Sequence, residues 1–283
     1  MAKARHYTDE ELTKLRQIQM DIYHEIERIC ANHDIPFVTI AGTALGAVRH
    51  NGFIPWDDDL DIAMMRSDYT RFLEYANGEI NPGFFVQNYY TDSYYGNYFT
   101  KIRRNGTLFE QNIDKKDQSH HGIFVDVFPI DRVTDNPHER KKYQKKLMIS
   151  LQMYMAKCNK GISGEVDSFK GKIKHLIRLI LHGVLVFASK EKLFNKLNDL
   201  CQIYNTGDSG TLMNSVVFAM TGGVFDAETM FPAVKHDFEG DTILIPRDAD
   251  RYLSQTYGNY MELPPVEQRT NHRPVQLSFG DAK

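Results

Sequence analysis

Apolar residues recur every three or four positions from Leu12 through Leu15, Ile18, Ile22, Ile26 and Ile29, the spacing of one helix face. Thr8 and Glu11 stand ahead of them as a capping box, and Pro36 ends the pattern after Asn32 and His33. The period then shortens. Phe37–Ile40 is β-branched and aromatic and predicts a strand, which Ala41-Gly42-Thr43 turns into a short helix with Leu45 and Val48. Asp59–Met65 alternates polar and apolar as a second strand should, and Ser67 is placed to cap a helix bearing Tyr69, Phe72 and Leu73. Phe84–Tyr89, Tyr98–Arg103 and Ile123–Phe128 predict three more strands. Helices and strands interleaved in this way predict an α+β fold, with a mixed sheet and flanking helices over residues 1–135.

The pattern changes after that point. Asn136-Pro137 opens a long helix to about Cys158, Gly161-Ile-Ser-Gly164 breaks it, and helical spacing resumes from Phe169 to about Asn205. Gly207-Asp-Ser-Gly210 is a second break. Val234–Phe238 and Thr242–Ile245 flank Glu239-Gly240-Asp241 as a hairpin, followed by a helix over Arg247–Tyr257. Residues 136–283 are expected to form a helical subdomain whose hairpin and tail complete the site. Within it, 169–187 is basic at its start and strongly apolar later. An interfacial helix touching anionic lipid and a buried core helix with a solvated first turn both explain it.

Composition narrows the function classes. The 283 residues are 42% hydrophobic and 25% charged, which excludes a disordered or fibrous chain. With 34 Lys and Arg against 37 Asp and Glu, the chain lacks the basic surplus that bulk nucleic-acid binding requires. Cys30, Cys158 and Cys201 are odd in number without CxxC spacing, which suits a reducing compartment and no disulfide framework. The opening MAKARHYTDEELTK has no apolar core and is not expected to act as a signal peptide. No run of about 18 uncharged apolar residues exists to span a membrane. A cytoplasmic protein, at most peripheral at the inner membrane face, is expected.

The chemistry concentrates at Asp57, Asp58, Asp59 and Asp61, which sit beside apolar Leu60, Ile62 and Met64. Residues two apart on a strand share a face at about 6.5–7 Å, so Asp59 and Asp61 project together and can share a hard cation. Magnesium suits such a pair, with manganese as a substitute, because it takes few protein carboxylates and completes its shell with water and phosphate. A solvated acidic turn fits poorly, since apolar side chains alternate with the acids. A calcium loop would need Gly where Ile62 stands and Glu where Asp68 stands. Upstream, Gly42 and Thr43 at a strand-to-helix turn could offer backbone amides and a hydroxyl to a phosphate, with Gly42 letting the ligand close to the backbone. Asp126, in an apolar run, is the candidate third acid, and Asp131 reads as a turn or cap residue. Arg49 and Lys101 are candidate phosphate partners, each equally well explained as an ordinary surface cation.

The chain resembles the LicD family at these residues. The shared pattern is Gly42-Thr43, Leu45-Gly46, Arg49-His50 and the run Gly52-Phe-Ile-Pro-Trp-Asp-Asp-Asp-Leu-Asp61. Lys101 with Arg103, the stretch Gly122–Asp131, and Tyr257-Gly258, Leu263-Pro264-Pro265, Arg269 and His272 extend it over most of the chain. The resemblance implies a nucleotidyltransferase-like fold with Asp59, Asp61 and Asp126 as the catalytic, metal-holding acids. It also implies transfer of phosphocholine, or a related phospho-alcohol such as that of CDP-ribitol or CDP-glycerol, from a CDP-linked donor. The acceptor would be a hydroxyl of a lipopolysaccharide or teichoic acid precursor, free or lipid-linked, and CMP would leave. Which phosphorus is attacked is not legible in the residues, so nucleotidyl transfer with pyrophosphate release stays open, as does a non-enzymatic scaffold. Trp56 could face a choline ammonium, and Tyr89, Tyr90, Tyr94, Tyr95 and Tyr98 crowd the next segment. A strand pair with exposed tyrosines explains that crowd as well as an aromatic cage does.

Overall fold

The computed structural model describes residues 7–111, 118–158, 169–214, 223–269, 271–272 and 274–280. Helix α1 (Asp9–Asn32) begins at the expected capping box, with the Thr8 side chain accepting from the Glu11 amide and Glu11 accepting in return. Its apolar stripe is buried from Leu15 to Cys30. Strand β1 (Val38–Thr39) leads into helix α2 (Ala41–His50), and β2 (Asp61–Met65) into α3 (Arg66–Glu79). Strands β3 (Phe84–Gln87), β4 (Thr100–Arg104), β5 (Leu108–Glu110) and β6 (Phe124–Arg132) follow. The later elements are α4 (Pro137–Cys158), α5 (Phe169–Val184), α6 (Lys190–Gln202), β7 (Thr211–Asn214), β8 (Phe225–Asp226) and α7 (Ala227–Met230). The hairpin β9 (Val234–Phe238) and β10 (Asp241–Ile245), α8 (Ala249–Tyr257) and β11 (Gln276–Ser278) complete the described order.

The main sheet runs β1-β2-β6-β4-β3, with β7 also on β6 and β8 on β7. Only β2 and β6 pair in parallel; every other described pair is antiparallel. One apolar layer packs α1 and α3 on one face of the sheet, and α4, α6 and α8 cover the other. Mixed helices and strands around a mixed sheet make this an α+β fold.

Several local expectations change, and the helix expected over 169–205 is two, α5 and α6, parted at residues 185–189. Strand β2 starts at Asp61, two residues later than its alternation suggests, because the Asp57 amide turns back to the Ile54 carbonyl and the Asp61 amide donates to the Thr43 hydroxyl. No Ser67 cap forms. Helix α3 starts at Arg66, whose guanidinium grips Asp131 at 2.8 and 2.5 Å. Asp131 is therefore neither turn nor cap but a fully buried residue of β6, also receiving Asn205 at 2.7 Å. Strand β6 runs through Pro129 because the Asp126 amide donates to Leu60, which sends the Pro129 nitrogen to the opposite edge. There β4 has ended opposite Val127 and β7 meets β6 from Ile130 on, so no ladder bond is lost among the described residues. The break expected at 161–164 lies outside the described residues.

The hairpin forms as expected, its turn carried by Glu239 at φ 53° and Gly240 at φ 80°. It braces the loop before the acids, since Glu239 accepts the Phe53 amide at 2.9 Å and donates its own to Asn51 at 3.0 Å. Loop and helix meet tightly at Gly46, where a Cβ would stand 2.5 Å from the Gly52 carbonyl oxygen.

Candidate active site

Sheet register brings the acids together. Asp61 on β2 lies directly opposite Asp126 on β6, and Lys101 on β4 lies opposite Asp126 from the other side. The three side chains thus stand abreast on one face of three adjacent strands. Lys101 Nζ meets Asp126 Oδ1 at 2.5 Å and sits 3.3 Å over the Phe124 ring centroid. Burial pushes the Lys101 ammonium's pKa down against the pull of Asp126. Lys101 is thus an internal counter-ion, spent on a carboxylate of the site.

Asp59 and Asp57 join from the loop before β2. Burial and repulsion by Asp59 push the Asp57 carboxyl up to about 8, so near neutrality it keeps a proton that it shares with Asp59. Burial, then the charges of Asp59, Asp126 and Asp57, raise Asp61 well above the ordinary carboxylate range. Asp59 is raised as well, by burial first. Four carboxylates thus crowd a site where Lys101 is bonded to one of them, with Arg103 beside Lys101, Arg16 behind Asp57 and His272 at the edge.

That crowding is what a cation would relieve. The donors are all hard oxygens, and Asp126 Oδ2 accepts no hydrogen bond among the described residues. Asp59, Asp61 and Asp126 fit a divalent ion on these grounds. The grouping whose ligand atoms lie within 4.8 Å of one another among the described residues is a different one, Asp58, Asp59 and His272. Its chemistry is different. The buried Asp58 carboxylate accepts the His272 amide and Nδ1 at 3.0 Å and the Tyr7 hydroxyl, so its lone pairs are occupied. Asp58 is a clamp for both chain ends. Despite burial, its hydrogen bonds from His272 and Tyr7 hold it below the ordinary carboxylate value. Crowding would lower His272, but Asp58 and the Asp59 charge outweigh it and lift the imidazole to about 9.

The upstream turn differs from its expected use. At Gly42 a Cβ would lie 2.5 Å from Asp57 Oδ2, so the glycine makes room for the Asp57 carboxylate. Thr43 is buried, and its Oγ1 accepts the Asp61 amide at 2.9 Å, fixing the start of β2. Gly42 and Thr43 remain in the first turn of α2, where amides lack intrahelical acceptors.

Arg49 lies near Tyr257 and a second arginine, Arg269. Arg49 donates to the Tyr260 carbonyl at 2.7 Å and to His50 at 3.0 Å. Burial, opposed by Tyr257 and aided by the like charge of Arg269, lowers its pKa. Arg269 lies 4.4 Å over the Trp56 ring, so that aromatic face is covered by a guanidinium. The tyrosines do not converge on one cage. Tyr95 and Tyr98 are buried, Tyr89 stacks on Phe194 of α6 at 3.8 Å, and Tyr90 and Tyr94 are exposed. Sequence reasoning put His272, Arg269 and Tyr257 only in the family pattern and gave them no role. Tyr257, 200 residues along the chain from Asp57, feels the charges of Asp61, Asp57 and Asp59, which with burial raise its hydroxyl pKa.

A mixed sheet that sets acids abreast on its central strands, beside a helix N-terminus, makes the candidate site of this α+β fold. Residues 34–155 match the LicD/FKTN/FKRP nucleotidyltransferase domain. The chain is similar to the lipopolysaccharide cholinephosphotransferase LicD of Haemophilus influenzae, 24% identical over 258 residues that cover 89% of this chain and 91% of that protein. An uncharacterized protein of Rickettsia typhi is 40% identical over 65 residues, 23% of this chain and 20% of that protein. Another from Rickettsia prowazekii is 37% identical over 67 residues, 22% of this chain and 25% of that protein.

Proposed function

We propose that this protein is a metal-dependent phosphotransferase that moves phosphocholine, or a related phospho-alcohol, from a CDP-linked donor to a glycan hydroxyl and releases CMP. The observation that carries it is the juxtaposition of Asp59, Asp61 and Asp126 in one crowded carboxylate cluster. Similarity to a lipopolysaccharide cholinephosphotransferase along nearly the whole chain supports the choice of cargo and of a glycan acceptor.

Magnesium held by Asp59, Asp61 and Asp126 would supply neutralisation of pyrophosphate charge as the bond to CMP breaks. The chain's own groups do the rest. Arg49 and Arg269 offer guanidinium donors to the donor's phosphate oxygens, whose charge neither finds in a described carboxylate. Asp126, held at Oδ1 by Lys101, is the carboxylate assigned to the acceptor hydroxyl's proton. The neighbouring Lys101 charge steadies the anionic transition state. Thr43 keeps Asp61 in register through its amide.

A donor panel tests the reading, with CMP and pyrophosphate measured separately in magnesium. CMP release from a CDP-alcohol, lost in Asp59→Asn with unchanged thermal unfolding, is expected. Pyrophosphate release from a nucleoside triphosphate, or full turnover in Asp59→Asn, would refute it.

A further inference from the structure

Helix α5 turns its polar edge inward and its apolar face outward. Arg178 is 6% exposed and donates to the Gln152 carbonyl and side-chain oxygens of α4 at 3.3 Å. One turn later the His182 ring bonds the Ala156 carbonyl at 2.8 Å. Opposite them, Ile173, Leu176, Ile177, Ile180 and Val184 are exposed, at 57% for Leu176 and Ile180 and 70% for Val184. At about 100° per residue these five fall within an arc of about 100°, one continuous stripe. The following turn, Leu185–Phe187, extends it and leaves Phe187 97% exposed. That turn is fixed, because Lys157 at the end of α4 donates to the Val186 carbonyl at 2.8 Å.

Single exposed apolar residues are ordinary, but a stripe of large aliphatic side chains ending in a protruding phenylalanine marks an interaction surface. Charge selects the partner. Residues 169–188 contain no acid and, besides the inward Arg178, carry Lys170, Lys172 and Lys174. The adjoining α4 adds Arg140, Lys141, Lys142, Lys145, Lys146 and Lys157 against Glu139 alone. This concentration of one sign occurs in a chain whose net charge is -3. An apolar stripe on a basic, acid-free element complements an anionic bilayer, where acyl chains take the stripe and headgroups take the lysines. Among the described residues no helix is long and apolar enough to cross a membrane.

We propose that the outward face of α5 and its following turn, from Ile173 to Phe187, is a membrane-docking surface that seats in the interface of an anionic bilayer. It would hold the enzyme against the leaflet and does not depend on which donor the site uses.

Flotation of the full chain with vesicles of phosphatidylglycerol and phosphatidylcholine, against phosphatidylcholine alone, tests it without donor or acceptor. The wild type should float with the anionic vesicles and release in high salt. The double variant Ile177→Glu, Ile180→Glu should lose at least about tenfold in partitioning. Both positions face outward, so its thermal unfolding should match the wild type. Lys172→Glu should weaken binding to anionic vesicles only. Absence of wild-type flotation, or wild-type flotation by the double variant, would overturn the proposal. A concentration-dependent dimer that the double variant abolishes, without vesicle binding, would also overturn it and give the stripe to a second copy.

Discussion

Replacing Asp57 with Asn probes the electrostatics of the acid cluster without changing its shape. In the folded, metal-free protein the Asp57 carboxyl is raised from 3.8 to about 8, while in the unfolded chain it ionises normally. Between these values the unfolded state releases a proton that the folded state retains. Stability of the metal-free protein therefore falls as pH rises through that window, by up to about 1.4 kcal/mol per pH unit. By pH 7 the ceiling is about 4 kcal/mol, and because Asp59 and Asp61 share the repulsion, a gain of about 1–3 kcal/mol is expected from Asp57→Asn. Asn is neutral at every pH and its amide can still donate to Asp59. Urea unfolding of both proteins in chelator, across about pH 5 to 9, reads the difference directly. The gap should widen with pH and narrow when magnesium is added, because bound cation stabilises the wild type by mass action. A variant no more stable than wild type above neutrality, or a gap independent of pH, would refute the like-charge reading.

Two further outcomes follow from the geometry. Asp131→Ala should cost about 3–5 kcal/mol in denaturant unfolding, because it strands the Arg66 guanidinium inside the fold and leaves Asn205 without its acceptor. His272→Ala should loosen the tail from Asp58. Because the folded imidazole is raised from 6.5 to about 9, its contribution is complete below about pH 6.5 and disappears as pH rises through 9. With the side chain 41% exposed, that contribution is discounted to about 1 kcal/mol, read as a pH-dependent difference in urea midpoint between variant and wild type.

Much of the fold is legible locally. The Thr8–Glu11 capping box, the α1 stripe and the Glu239-Gly240 turn depend on neighbours in sequence, and all three form as their patterns predict. Where pattern reading fails, a distant partner decides. Asp131 looks like a turn residue after Pro129, yet Arg66, 65 residues earlier, draws it into the core. Strand β7 carries no strong signal and exists because it completes the edge of β6 beyond the end of β4.

The same division holds for the site. Sequence alone determined the chemical inventory: four aspartates in one run, a candidate third strand acid, flanking cations and a family pattern that assigns them. Tertiary structure decided which of those groups act together. The parallel register of β2 and β6 sets Asp61 opposite Asp126, and the adjacent antiparallel strand gives Lys101 to Asp126 as counter-ion. Asp58 is withdrawn from the cluster by Tyr7 and His272, the latter 214 residues away. Gly42 and Thr43 become supports for Asp57 and Asp61. The physical reason is that charge–charge energy depends on distance and burial, which sequence separation does not encode. It is also why 169–187 stays ambiguous on paper: its composition suits a core or an interface, and only the inward turn of Arg178 and His182 shows which face is left outside.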